Sequence, residues 1–458
     1  MDIFTIQQAA LAVNGQLFHK CNTPLSEIVI DNRLVKEGCL FVAIIGERFD
    51  GHDFISDAFA AGAAAVISQK ELETDKPYIL VEDTRQALLD LARFNRERFS
   101  GSVVGITGSV GKTTTKEMIA SILSETFKII KTEGNLNNAI GLPRTLFRLD
   151  SSCNAAVIEM GMSGMGEISV LSKAAQPAVG VITNIGTSHI EQLGSRENIL
   201  HAKLEILHGM KQGTPLVVNA DNDLLSGLVK QEYQSVLKGH PVIRCSFQDE
   251  TADVFGTNLT INEQTIAFDV IAERKITHIH LPVLGAHNAQ NALLAFAVGR
   301  LHHIQEEKIA KALSAYQPVG LRQKIECMQG VTVIADCYNA SPESMEASIL
   351  TLKNMTGSGR KIAVLGDMLE LGAHAEKEHR RIGCFLTEQG VDALFCVGKN
   401  AAFLAEEAVC ETNAYYANKD ELAAALGRFM QQGDIILFKA SRGMKLETII
   451  EKVFDKKM

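Results

Sequence analysis

The stretch Val103–Thr115, VVGITGSVGKTTT, decides the reading of this chain. Its first residues, Val103–Ile106, are apolar and largely β-branched, as in a buried strand. A glycine-rich turn follows, and helical patterning runs from Lys112 to about Leu123. A strand that turns through glycines into a helix presents backbone N–H groups and a helix N-terminus to phosphate. In such a loop Lys112 would reach the terminal phosphates of ATP and Thr113 would ligate Mg²⁺, with Gly108, Ser109, Gly111 and Thr114 forming the cradle. The strict pattern asks for glycine at position 106, where this chain has Ile106; Gly108 stands within the loop instead.

On either side of the loop, short apolar runs alternate with helical stretches. The strand candidates include Ala155–Glu159, Val179–Thr183, Pro215–Asn219, Val331–Asp336, Lys361–Leu365, Ala393–Val397 and Asp434–Phe438. Such alternation predicts α/β domains with parallel sheets, whose ligands gather at the carboxyl ends of strands. The N-terminus reads as a short helix ending near Gly15, and Leu88–Phe99 as a charged helix before the first core strand. Val254–Leu281 alternates in the antiparallel manner, as an insertion at the edge of the central domain. The segment YQPVGLR, 316–322, holds Pro318 and Gly320 and precedes a second βα series. Three domains are expected: a small α/β unit over 1–99, a central phosphate-loop-type parallel sheet over 100–317, and a Rossmann-like unit over 318–458.

Composition narrows the function classes. The 458 residues are 46% hydrophobic and 22% charged, enough for more than one core. A net charge of −9 sets aside nucleic-acid binding, which needs a basic face. The nine cysteines are odd in number and scattered, with no CxxC pair, which predicts a reducing cytosol and neither disulfides nor zinc. The first residues, with Asp2 and no basic stretch, do not read as a signal peptide. No uncharged apolar run reaches the roughly 18 residues of a membrane span.

Two more strand ends carry candidate chemistry. Glu159 ends the strand beside the loop; alone it suits a surface acid as well as a second Mg²⁺ ligand. His189 follows the strand that ends near Asn184. Lys203 lies beside an apolar stripe, where a lysine ordinarily snorkels.

At this point ten segments, in order, resemble one family: DNRLVKEGCLFVAIIGERFDGHDF (31–54), GITGSVGKTTTKE (105–117), TEGNLNNAIGLP (132–143), IEMGMSGMGEI (158–168), TNIGTSHIEQLGS (183–195), AKLEI (202–206), LGAHNAQNAL (284–293), DCYNASPESM (336–345), LGDMLELG (365–372) and KASRGMKLE (439–447). The family is the Mur ligases of peptidoglycan precursor synthesis. Within it, the segments resemble the members that add a D-alanyl-D-alanine dipeptide. The members that add the third amino acid usually show TGTNGKT, an HLDYH-type stretch and a DNPR-type motif, none of which stands here. Asn32 occupies a position where serine is common in the family.

The resemblance implies a two-step, monomeric, cytoplasmic enzyme using ATP and Mg²⁺. The C-terminal carboxylate of a UDP-N-acetylmuramoyl-tripeptide takes the γ-phosphate, and the amine of D-Ala-D-Ala then displaces phosphate. It implies Mg²⁺ at Thr113 and Glu159, a second at His189, and carbamylation of Lys203 to an anion that helps bind metal. Asn288 and Asn291 would read adenine; the alternative for them is to cap the helix N-terminus, and Asn288 is expected to do one of these jobs rather than both. Arg322 would reach the phosphates on domain closure about the hinge 316–322, and Asp336 the ribose or the arriving domain. Tyr338, Asn339 and Ser341 would line the dipeptide or acyl-phosphate side, with Lys439 and Arg442 as further candidates for that side. Asp31, Arg33, Gly46, Asp50 and His52 resemble the UDP-binding elements of the N-terminal domain. Thr132, Asn135, Asn137 and Asn138 would contact the muramoyl or pyrophosphate part. Three other classes share features with the chain. An amidating relative would carry a Cys-rich zinc insertion, a folate- or cyanophycin-type ligase would lack the DGH-bearing N-terminal domain, and a simple phosphate-loop kinase would lack the His189–Lys203 arrangement.

Overall fold

The computed structural model describes residues 4–262, 265–318, 320 and 322–456. Met1 and Asp2 of the expected N-terminal stretch, and Val319 and Leu321 of the expected hinge, lie outside them. The chain builds three sheets in succession, so each unit of sequence folds largely on itself.

The first sheet orders its strands Gln16–Phe18, Tyr78–Leu80, Ala65–Ser68, Leu40–Val42 and Ile28–Val29. Only the outer pair, Gln16–Phe18 with Tyr78–Leu80, is antiparallel. The N-terminal helix is Ile6–Ala12, and the charged helix that closes this unit is Thr84–Arg98.

The second sheet has nine strands: Lys275–Leu281, Ile266–Ala272, Val254–Ile261, Val242–Ser246, Leu216–Asn219, Val179–Ile182, Ser102–Thr107, Ala155–Glu159 and Ile129–Lys131. Strand Ser102–Thr107 pairs in parallel with Ala155–Glu159 on one side and Val179–Ile182 on the other. Apart from Ser102 these central strands are buried throughout, and a parallel strand covered on both faces reads as a continuous apolar run. That is why they were legible, whereas the three-residue edge strand Ile129–Lys131 was not. The helices Lys112–Ser124 and Ala286–Leu301 pack together over one face, sharing a core of Met118, Ile119, Ile122, Leu293 and Phe296. The insertion is antiparallel at the sheet edge, and Ile266–Ala272 alternates buried and half-buried residues as a strand with one wet face must.

The third sheet runs Lys324–Met328, Val331–Ala335, Ile435–Lys439, Lys361–Gly366, Ala393–Val397 and Thr412–Tyr416. All its pairs are parallel except the first. Among the described residues no helix is long and apolar enough to cross a membrane.

Candidate active site

The loop between strand Ser102–Thr107 and helix Lys112–Ser124 is shaped by two glycines. Gly108 has φ 152° and Gly111 φ 84°. A Cβ at Gly108 would lie 1.8 Å from Thr183 Oγ1, and one at Gly111 2.6 Å from Asn291 Oδ1, so neither position admits a side chain. The loop is braced by the neighbouring strand end. Ser109 N donates to Asn184 O (3.1 Å), Val110 N to Asn184 Oδ1 (2.8 Å), and Gly186 N to Ser109 Oγ (3.0 Å). Lys112 folds back over the loop, donating to Gly108 O (2.7 Å) and Ser109 O (3.2 Å). Burial lowers its pKa, and the nearby Glu159 charge opposes that.

Glu159 is fixed from both sides. Thr113 Oγ1 donates to its Oε2 (2.8 Å) and Asn137 Nδ2 to its Oε1 (2.8 Å). Beneath it lies buried Lys116. Its ammonium donates to Thr132 O (2.7 Å) and lies 3.0 Å from Glu117 Oε1 and 3.8 Å from Glu159 Oε2. Thr132 is fully buried, and its hydroxyl accepts the Glu159 N–H at 3.0 Å. Its side chain is therefore spent supporting the acid, whereas the resemblance puts it against substrate.

His189 has a left-handed backbone (φ 64°) and caps the short helix Ile190–Leu193. Its Nδ1 lies 2.6 Å from Glu370 Oε2 of the third unit, at ion-pair range but out of hydrogen-bond alignment. This contact holds the Glu370 carboxyl below its usual range. Glu370 also has φ 65°, so both partners occupy sparsely populated backbone. Lys203, on helix Arg196–Leu204, is 1% exposed and has no hydrogen-bond or ion-pair partner among the described residues. Burial, then the charge of Lys112, pushes its pKa well down, which favours the neutral amine.

A chain of amides crosses from the second unit to the third. Thr115 Oγ1 donates to Asn291 Oδ1 (3.2 Å), Asn291 Nδ2 to Asn288 Oδ1 (3.2 Å), and Asn288 Nδ2 to Gln323 Oε1 (3.0 Å). Gln323 N then donates to Asp336 Oδ1 at 3.3 Å. Asn288 does not cap its helix, whose N-cap is Gly285. Asp336 also accepts from Lys439 Nζ (2.5 Å) and Ser348 Oγ (2.7 Å), which keep its carboxyl ionised despite burial. Lys439 Nζ further donates to Asn339 O (3.2 Å). The Arg322 guanidinium stacks 3.8 Å from the centre of the Tyr338 ring. Arg442 pairs with Glu447 at 2.7 Å, and Ser341 caps helix Pro342–Asn354.

These parts face one cleft of about 1650 Å³. Its wall includes residues 109 and 111–114, Asn135, Asn137, Asn138, Glu159, His189, Asn288 and Asn291 from the second unit. From the third side come Arg322, Asp336, Tyr338, Asn339, Ser341, Lys439 and Arg442. Gly108, Thr132 and Lys203 are not part of this wall.

The N-terminal candidates lie outside it. Arg33 donates to both oxygens of Asp31 (2.9 and 2.7 Å), which brings the Asp31 carboxyl down to about 2. Asp50 accepts from Lys70 Nζ at 2.7 Å and lies 2.5 Å from His52 Nδ1. His52 Nε2 accepts from Gln69 N at 3.0 Å, so both imidazole nitrogens are used within the domain. Gly46 N closes a turn onto Phe49 O.

Sequence reading gave no role to Gln323, Lys116, Asn184, Glu343 or Glu370. The last two stand in segments that resemble the family, yet their contacts join residues far apart in the chain. Among the described residues no three His, Cys, Asp or Glu side chains converge as a metal cage. The hard oxygens of Thr113 and Glu159 beside a phosphate loop suit Mg²⁺, which takes few protein ligands and fills its shell with water and phosphate.

A phosphate loop facing a second nucleotide-fold unit across a cleft, with an acid at the next strand end, defines an ATP-dependent ligase architecture. Comparison with known proteins agrees. Family models match at 24–96 (Mur ligase family, catalytic domain), 106–299 (Mur ligase middle domain) and 322–442 (Mur ligase, glutamate ligase domain). The chain is 39% identical to the UDP-N-acetylmuramoyl-tripeptide–D-alanyl-D-alanine ligase of Bacillus subtilis (strain 168), over 98% of each. It is similar to the crystal structure I of MurF from Acinetobacter baumannii, with a TM-score of 0.92 and 33% identity over 100% of each chain. It is also similar to the MurF ligase of Thermotoga maritima in complex with ADP, with a TM-score of 0.84 and 30% identity over 94% of this chain and 97% of that one. The chain belongs to the Mur ligase family, and is an ATP-dependent, ADP-forming ligase that makes an amide bond.

Proposed function

We infer that this enzyme joins D-alanyl-D-alanine to the C-terminal carboxylate of UDP-N-acetylmuramoyl-tripeptide, a step of peptidoglycan precursor synthesis. The observation that carries this is the single cleft into which the phosphate loop, Glu159, His189 and the Asp336–Ser341 turn all face. The full-length likeness to ligases of that name supports it.

In the first step a carboxylate oxygen bonds to the γ-phosphorus of ATP, the bridging P–O bond breaks, and ADP leaves. Carboxylate and triphosphate repel, so the protein must offset like charge. Lys112 and the N-terminus of its helix would face the phosphates, and Arg322 would reach them from the far wall when the domains close about residues 316–322. Thr113, Glu159, His189 and a carbamylated Lys203 would hold Mg²⁺. Bound there, the metal supplies charge neutralisation and in-line orientation. Glu159 is held ready by Thr113, Asn137 and the Thr132 hydroxyl. Lys203 is suited to carbamylation because a desolvated, neutral amine is a nucleophile toward CO₂. In the second step the dipeptide's ammonium loses a proton to solvent, the neutral amine attacks the acyl carbon, the C–O bond to phosphate breaks, and phosphate departs as the amide nitrogen sheds its second proton.

Asn288 and Asn291 line the adenine side, and Tyr338, Asn339, Ser341, Lys439 and Arg442 the dipeptide side. Asp31, Arg33 and the 46–52 turn serve the UDP end. The second and third units of one chain wall the cleft between them, so we propose a monomer, acting in the cytoplasm where ATP and UDP-sugars are found. The test is ADP release with UDP-N-acetylmuramoyl-tripeptide, with and without D-Ala-D-Ala. Turnover that ignores the dipeptide overturns the assignment. Sedimentation of the ligand-free enzyme as a dimer overturns the monomer.

A further inference from the structure

Two buried polar atoms that lack a hydrogen-bond partner among the described residues belong to neighbours across the interface: Thr187 Oγ1 and Glu343 Oε2. A buried carboxylate oxygen without a donor is destabilising, and where one persists it marks a place for a ligand. Glu343 does not sit there by default. It stands in the first turn of helix Pro342–Asn354, in the third unit, and reaches across to the second. Its Oε1 accepts the Thr187 N–H at 2.7 Å. Gly186 makes room for it: a Cβ there would lie 2.7 Å from the Glu343 carboxyl carbon. The carboxylate is thus held by one oxygen while the other, buried, has no donor among the described residues. The neighbouring guanidinium, Arg196, does not take it up, because its terminal nitrogens donate to Asp223 (2.8 Å) and Ile185 O (2.9 Å). The other acid at this interface, Glu370, is already against His189.

We propose that Glu343 binds the ammonium group of the incoming dipeptide, accepting an N–H at Oε2. This rests on the reaction inferred above: His189 would help to hold Mg²⁺ at the terminal phosphate, so the carboxylate that takes that phosphate would lie beside it. The attacking nitrogen must come within bonding range of that carbon, so its ammonium arrives at the surface formed by residues 186–189 and Glu343. A desolvated carboxylate is the natural acceptor for it, and charge-assisted hydrogen bonds are among the strong ones. The site forms only when the second and third units meet, so the amine is received where the acyl phosphate is shielded.

The test compares two nucleophiles on one intermediate. Hydroxylamine is uncharged at neutral pH and traps an acyl phosphate as a hydroxamate without needing an ammonium site. With ATP and UDP-N-acetylmuramoyl-tripeptide, Glu343→Gln is expected to lower kcat/KM for D-Ala-D-Ala roughly 10- to 100-fold. Hydroxamate formation and KM for ATP should stay within about twofold. Glu343→Asp, which keeps the charge, should recover part of the loss. Unchanged dipeptide kinetics overturn the proposal, and so does an equal loss with both nucleophiles, which would make Glu343 a latch between the units. A wild-type enzyme that forms hydroxamate but ignores D-Ala-D-Ala overturns the substrate assignment instead, an outcome distinct from any Glu343 result.

Discussion

Two lysines in the central unit, Lys116 and Lys203, are each 1% exposed, and their surroundings are opposite. Under the phosphate loop, Lys116 has a carbonyl at 2.7 Å and carboxylates at 3.0 and 3.8 Å. On helix Arg196–Leu204, Lys203 has no partner among the described residues and a strongly lowered pKa. Burial alone therefore says little about what a lysine does. A buried ammonium with partners is part of the frame, and here it underlies the acid proposed to hold metal. A buried amine without partners is chemically available, which is what a modified or reacting lysine requires.

The comparison can be broken at several points. The largest effect is expected at Lys112, which feels the field of the loop rather than either pattern. Lys112→Ala should lower ATP-dependent turnover by at least about 10³-fold in a coupled ADP assay, with the melting temperature little changed. Next, Lys203→Ala should reduce turnover by roughly 10²- to 10³-fold, and added short carboxylates such as formate should restore part of it. Full activity in the variant would end the carbamate assignment. Lys116→Met should act on the fold. It strips Glu117 and Glu159 of a buried counter-charge, so denaturant titration should show a loss of about 3 kcal/mol. A stable but inactive Lys116→Met would place this lysine with the chemistry instead.

The smallest effect has a defined pH dependence. With bicarbonate removed, burial favours the neutral amine of folded Lys203, whereas the unfolded chain, near the ordinary value of 10.5, favours the charged form. The unfolded state then binds the extra proton, so this residue lowers stability at neutral pH and stops doing so as pH rises through 10.5. Lys203→Met should therefore gain roughly 1–2 kcal/mol at pH 7, shrinking toward zero near pH 10.5. A gain independent of pH would show that packing, not charge, separates the two lysines.

The fold was legible wherever one residue's surroundings are set by its sequence neighbours. Ala155–Glu159 and Ala393–Val397 were bounded to the residue because a strand buried on both faces is a continuous apolar run. Gly108 and Gly111 were legible because only glycine tolerates their backbone and close contacts. Side-chain direction was not legible. Thr132 and His52 stand in motifs that suggest ligand contact, yet the structure spends the Thr132 hydroxyl on Glu159 and both His52 nitrogens inside the N-terminal unit. Nor was the far wall legible. Glu343, Glu370 and Gln323 acquire their partners only when separate units dock, and no local pattern encodes that meeting.

The tight fit of Glu343 over Gly186 has an evolutionary consequence. Residues 186 and 343 occupy one shared volume, so neither can drift freely. A methyl group at 186 would have to be matched by a shorter side chain at 343, and a lineage that traded one without the other would lose the handshake between its halves. Selection from a library randomised at both positions should therefore return correlated pairs.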